Sequence, residues 1–226
     1  MREIPATLKW WSRRAFGIGF DTLHGVDTGA GAFGVQGVTG PNRDAGIPYD
    51  PSPWRTVARC LRMAGLPTPS GFTFVDIGCG KGKVLLSAMT FPFVRIIGIE
   101  FSPYLCEIAR QNVNSARSLR RRCTNVEIVC ADAVAWIPPP HEPLVLYFCN
   151  PFHFTVMGPV LRNIVESYKH HQRPVYMIFY RASSSVENIN NTLCEASQGS
   201  AVRLASGKFG AGSVNIYWLP APPPRQ

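Results

Sequence analysis

Three things are scarce or missing in this chain. Its seven cysteines, at 60, 79, 106, 123, 130, 149 and 194, contain no CxxC pair. A scattered, odd-numbered set indicates neither a zinc site nor a disulfide framework, so no metal is expected. Most of them sit in apolar or helical stretches, where free Cys behaves as a small buried hydrophobe, and a reducing, cytoplasmic setting fits. No run of about 18 apolar residues exists, so no transmembrane helix is expected. Acid is also short: 14 Asp and Glu stand against 23 Lys and Arg, a formal net charge of +9. Nucleic acid, an anionic membrane surface or an acidic protein would be attracted by that excess. It gathers in ARSLRRRC (116–123) and YKHHQR (168–173). Charge runs of this kind read first as solvated loops and helix ends. The twin arginine Arg13-Arg14 lacks the apolar stretch that an export signal needs, because Gly17, Gly19 and Asp21 interrupt it.

What is present suits one domain: 226 residues, 46% of them hydrophobic. Residues 1–50 form a glycine-rich extension without sustained periodicity, in which Phe16, Phe20, Phe33 and Tyr49 can anchor the chain on a folded body. Residues 51–220 are expected to form the folded domain, and 221–226 a loose tail. In YDPSPW, Ser52 reads as a helix N-cap with Pro53 at the first helical position. Val57, Leu61 and Ala64 then share one helical face, closed by Gly65.

From residue 72 short apolar runs alternate with helical stretches. Five strands are expected at FTFVDI, VRIIGIE, NVEIVCAD, LVLYFCN and PVYMIFY. Two more, AVRLAS and SVNIYWLP, are joined by a GKFGAG turn. Near-continuous apolar strands separated by helices imply an α/β fold: a mostly parallel seven-stranded sheet covered on both faces, with one antiparallel strand.

The stretch FTFVDIGCGKGKVLL (72–86) places a strand, three alternating glycines and a helix in succession. Such a turn offers backbone N–H groups at the carboxyl edge of a parallel sheet, where ligands bind. The dinucleotide fingerprint GxGxxG does not match, because Lys83 stands where its third glycine belongs, and no phosphate-loop register exists. What remains is D-x-G-x-G-x-G: Asp76, Gly78, Gly80 and Gly82. With it the chain resembles the class I, Rossmann-like S-adenosylmethionine-dependent methyltransferases, whose first motif has this form. The wording VDIGCGKGKVLL, IIGIEFSP and YFCNPF, preceded by FDTLHGVDT and YDPSP, is similar to uncharacterised bacterial members.

The resemblance implies S-adenosyl-L-methionine as cofactor. It gives Asp76 the cofactor's cationic end and Gly78, Gly80 and Gly82 its close approach. Glu100, ending the second strand, would take the ribose hydroxyls, with Phe101 against the adenine. Asp132 would receive the adenine amino group, with Ala133 beside it. Asn150, Pro151 and Phe152 match the Asn-Pro-Pro-aromatic pattern of many amine methyltransferases except for the second proline, and mark the catalytic end. His153 is a weaker proton acceptor there. Tyr49 is expected nearest the cofactor from an N-terminal lid, and Asp21 and Asp27 are weaker candidates for an acceptor pocket. The expected reaction is methyl transfer to a nitrogen of a protein or other amine. Methylation of an oxygen or carbon in a small metabolite, and a cofactor-binding module docking on RNA or another anionic partner, stay open beside it.

Overall fold

A computed structural model describes residues 18–29, 38, 41–47, 49–182, 186–209 and 212–221. Arg13-Arg14, Phe16, Phe33 and most of the tail lie outside the described residues. One seven-stranded sheet organises the rest: β1 (Thr73–Ile77), β2 (Arg95–Glu100), β3 (Val126–Cys130), β4 (Leu144–Cys149), β5 (Val175–Tyr180), β6 (Val202–Phe209) and β7 (Gly212–Leu219). Their order is β3-β2-β1-β4-β5-β7-β6. Strands β1 to β5 are mutually parallel, and β7 is antiparallel to both β5 and β6.

The alternation of side chains along a strand divides the sheet into two cores. On one face Val75, Ile77, Leu146, Phe148 and Phe179 pack with Val160, Leu161 and Ile164. These come from helix α5 (Phe154–His170), which lies beside α6 (Val186–Ser197). On the other, Phe74, Ile96, Val145 and Ile178 pack with Leu61, Leu85 and Met89. Helix α1 (18–24), α2 (Thr56–Met63), α3 (Lys83–Ala88) and α4 (Pro103–Ser115) supply that side. Both faces being covered explains strands that are apolar at nearly every position. Among the described residues no helix is long and apolar enough to cross a membrane.

Three local expectations change. Helix α2 starts at Thr56 with no side-chain cap. Ser52 is instead buried and shares a 2.9 Å hydrogen bond with the Tyr147 hydroxyl, because a hydroxyl under the sheet edge needs a partner more than a helix end facing water does. In the expected GKFGAG turn, the described residues belong to strands: β6 continues through Phe209, whose ring stacks on Tyr180 at 5.4 Å, and β7 begins at Gly212. In YKHHQR, Arg173 is not solvated. It is buried, with its guanidinium donating to the backbone oxygens of Glu142, Ser167 and His171. Carbonyls left over at the end of α5 make that burial favourable.

Candidate active site

The carboxyl ends of β1 to β4 open onto a cleft of about 1090 Å³, adjoining solvent included. Asp76, Gly78, Gly80, Glu100, Phe101, Asp132, Ala133, Asn150, Pro151 and Phe152 all line it, and so does Tyr49. Topology does this work. Asp76 is the fourth residue of β1, Glu100 the last of β2, and Asp132 follows β3 by two.

The turn after β1 is held by Ile99, whose carbonyl accepts from the Gly78 and Cys79 N–H groups at 2.8 and 3.0 Å. Gly78 and Gly80 carry φ of +81° and +52°, and a side chain on either would collide. A Cβ on Gly78 would stand 2.5 Å from Pro151 Cβ, and one on Gly80 would stand 2.2 Å from the Tyr49 ring. Gly82, also at positive φ, begins α3 against Ala109 and is not part of the cleft lining.

Glu100 is buried, and its two oxygens accept from Gly80 N–H at 2.9 Å and Ser102 N–H at 3.0 Å. Burial still raises its carboxyl above the usual range, against the pull of these backbone bonds. Asp76, only 2% exposed, is pushed well above that range by burial first and by Glu100 second. Asp132 accepts from Val134 N–H at 2.9 Å and from the Asn42 amide at 2.7 Å. The Cys149 thiol, also lining the cleft, is held up at about 11 by burial. It therefore stays protonated at neutral pH.

At the tip of β4, Asn150 has φ +46°, a left-handed conformation that Asn tolerates better than most residues. The next residues pair with the N-terminal segment. Pro151 O accepts from Ile47 N–H at 3.3 Å, His153 N–H donates to Ala45 O at 3.0 Å, and Gly46 bridges Phe152. His153 serves as the N-cap residue of α5 and is not among the residues lining the cleft.

Residues 42–47 and 49–52 roof this edge, and apart from Tyr49 local pattern does not reveal them. Asn42, Gly46, Ile47, Asp50 and Ser52 line the cleft beside Tyr49. Gly46 lies so close to Phe101 that an added Cβ would be 2.7 Å from the ring. Asp50 pairs with Arg181 at 2.5 Å.

The stretch FDTLHGVDT is placed elsewhere. Asp21 accepts from the Thr28 backbone N–H at 2.8 Å, and Asp27 pairs with Lys81 at 2.7 Å. The Asn112 amide clamps the same segment, donating to Asp27 O and Lys81 O and accepting from Asp27 N–H. His24 Nδ1 lies 2.7 Å from Arg117 O, and Arg117 N–H donates to His24 O at 2.8 Å. Neither Asp21 nor Asp27 is among the residues lining the active-site cleft. Short polar side chains beside glycine here fold a docked hook, a use of Asp as common as binding.

Residues 74–174 match the family described as Methyltransferase domain. Over 183 residues, 76% of this chain and 64% of the relative, the sequence is 28% identical to a trans-aconitate 2-methyltransferase of Azoarcus sp. (strain BH72). Over 141 residues, 57% of this chain and 48% of the relative, it is 26% identical to a ribosomal protein L11 methyltransferase of Idiomarina loihiensis. The chain thus spans less than two thirds of the length of these curated relatives. In fold it is similar to the crystal structure of the N-methyltransferase NodS from Bradyrhizobium japonicum WM9, with a TM-score of 0.53 and 14% identity, covering 76% of this chain and 99% of that one. Strand order and this structural likeness agree on a Rossmann-like methyltransferase fold, and within it residues 74–174, which carry the glycine turn and the acids at successive strand ends, match the methyltransferase-domain family.

Proposed function

We propose that this chain transfers a methyl group from S-adenosyl-L-methionine to a nitrogen of a protein or other amine. One observation carries the reading. Asn150, in its left-handed conformation at the tip of β4, lines the same cleft as the three carboxylates at the ends of β1, β2 and β3.

The residues fit the cofactor chemically. Asp76 is a buried carboxylate whose ionised form needs a cation nearby, and the cofactor's ammonium and sulfonium end is one. An ionised carboxylate has about four acceptor positions. Glu100 uses two on backbone N–H groups and keeps two for the ribose hydroxyls. Asp132 likewise retains capacity for the adenine amino group, with Phe101 and Ala133 against the ring. Gly78 and Gly80 let Pro151 and the Tyr49 ring close against the turn that would meet the cofactor, and Gly82 lets α3 start against α4.

When bound, the cofactor supplies a methyl group on a sulfonium; an amine lone pair takes it, and the breaking bond's electrons return to sulfur. For that displacement the protein has to align the nitrogen and exclude water. Asn150 would orient the amine N–H groups, with Phe152 as the stacking face. Residues 1–50 would act as a lid, of which Asn42, Gly46, Ile47, Tyr49 and Asp50 line the cleft, with Tyr49 over Gly80.

A second reading is methylation of an oxygen or carbon in a small metabolite. It is favoured by Pro151, whose carbonyl is engaged by Ile47 N–H rather than left for an amine. Incubation with radiolabelled cofactor and fractionated cell extract separates the readings. Base-stable label in amines supports the first; label only in esters, carbon or nucleic acid overturns it.

A further inference from the structure

The cofactor reading absorbs Asp76, Glu100 and Asp132. A fourth carboxylate lining the cleft, Asp50, is left over. It belongs to the half of the sheet edge that the cofactor residues do not occupy. Its partner Arg181 follows the last residue of β5, and β5 adjoins β4, whose tip carries Asn150.

The pair is asymmetric. The Arg181 side chain is only 15% exposed, while that of Asp50 is 66% exposed. Arg181 is fixed from three directions. Its backbone N–H donates to Ser213 O at 2.8 Å, its guanidinium lies 5.3 Å over the Tyr180 ring, and its Nη1 holds Asp50. Asp50 therefore presents its remaining acceptor positions outward on a rigid mount. Backbone strain marks the same place. Among the described residues four non-glycine residues have positive φ, and two of them, Asn150 at +46° and Arg181 at +62°, terminate neighbouring strands. Strained residues of this kind persist where the surroundings over-determine them, and they cluster at ligand sites.

We propose that Asp50, held by Arg181, anchors an ammonium group of the methyl acceptor, which is therefore a molecule with a second, protonated amine beside the nitrogen that receives the methyl group. The inference rests on the methyltransferase reading above. The attacking nitrogen must be neutral, because only a free lone pair can take the methyl. The cation on Asp50 is thus a different group, one that sets the acceptor's position without losing its own proton. The Asp–Arg pair is neutral as a unit, yet only its anionic member faces the cleft, so a cation is preferred to an anion of the same size.

The test uses the full chain saturated with S-adenosylhomocysteine and three probes of equal length: 1,4-diaminobutane, 1,4-butanediol and succinate. Nuclear magnetic resonance follows the Asn150 side-chain amide and the Arg181 Nε–H. The diamine should shift both signals saturably, while the diol and succinate leave them in place. In Asp50→Asn the diamine should bind roughly tenfold weaker or more, the loss expected for a hydrogen bond to a charged group. Succinate binding as well as the diamine, no response to any probe, or unchanged diamine affinity in a folded Asp50→Asn protein overturns the proposal. If that variant does not fold, the ranking of the three probes on the native protein decides alone. Failure to bind S-adenosylhomocysteine in calorimetry would remove the methyltransferase reading itself. Normal binding with the wrong ranking removes only this anchor.

Discussion

Gly80 shows how one position serves both packing and binding. It holds a positive φ, and the Tyr49 ring occupies the space where a side chain would begin. Gly80→Val should abolish cofactor binding and destabilise the fold by about 1–3 kcal/mol; calorimetry and thermal melting read the two effects. A folded variant with native affinity would remove Gly80 from the site. Glu100 is less clean as a probe, because Glu100→Ala also leaves the Gly80 and Ser102 N–H groups without their acceptor. Asp76 gives a sharper test. Its folded-state pKa lies above the usual value of 3.8 through burial and then Glu100. The stability it contributes is present below its unfolded pKa and is lost as pH rises toward the raised value. Asp76→Asn avoids that loss. The melting temperature of the cofactor-free variant, relative to native protein, should climb between pH 4 and pH 8, while its cofactor affinity at pH 7 falls roughly tenfold. A pH-independent difference in melting temperature would contradict this.

At the scale of elements, the N-terminal segment behaves as two pieces. The hook of α1 and residues 25–29 is tied down by Asn112, Lys81 and Arg117. The roof, residues 42–47 and 49–52, is tied to the cleft by Asn42, Gly46 and Ile47. Asn112→Ala removes three hydrogen bonds to backbone and should cost about 1–3 kcal/mol. Hydrogen exchange should then quicken in residues 18–29 while the central strands keep their protection. If the roof is a lid, residues 41–52 should gain protection when S-adenosylhomocysteine is added. Unchanged exchange there, together with full activity in a chain starting near residue 50, would end the lid reading.

At the scale of the whole molecule, one arginine cluster among the described residues stands apart from the cleft. Arg117, Arg120, Arg121 and Arg122 are exposed between α4 and β3. That connection enters β3 at its amino end, and the cleft lies at the carboxyl ends of the same parallel strands. An RNA held on these arginines would meet the edge of the sheet remote from Asn150. Replacing Arg120 and Arg122 by Ala should weaken RNA retention and flatten its salt dependence. Cofactor affinity and methyl transfer to an amine should stay within about twofold, since surface substitutions away from structural features cost within about 0.5 kcal/mol. A tenfold loss of transfer would turn attention back to docking on an anionic partner.

Sequence alone determined the α/β class, the seven strands and the acids at successive strand ends. These depend on local signals: apolar period, Gly and Pro punctuation, and a glycine turn between strand and helix. Ser102 capping α4 was legible for the same reason, its side chain accepting from Leu105 N–H. Tertiary structure alone decided which side chains meet. Asp50 finds Arg181 131 positions away, and Asp27 finds Asn112 at a separation of 85. Two Asp residues in FDTLHGVDT look as suited to a ligand as Asp50 in YDPSP does, and nothing near them in sequence tells them apart. Only the folded chain puts Asp50 on the cleft and turns Asp21 and Asp27 to holding a hook. The same is true of Arg173, whose basic run reads as surface until the end of α5 closes over it. Periodicity reports which face of an element is buried; it carries no record of what arrives from elsewhere in the chain to bury it.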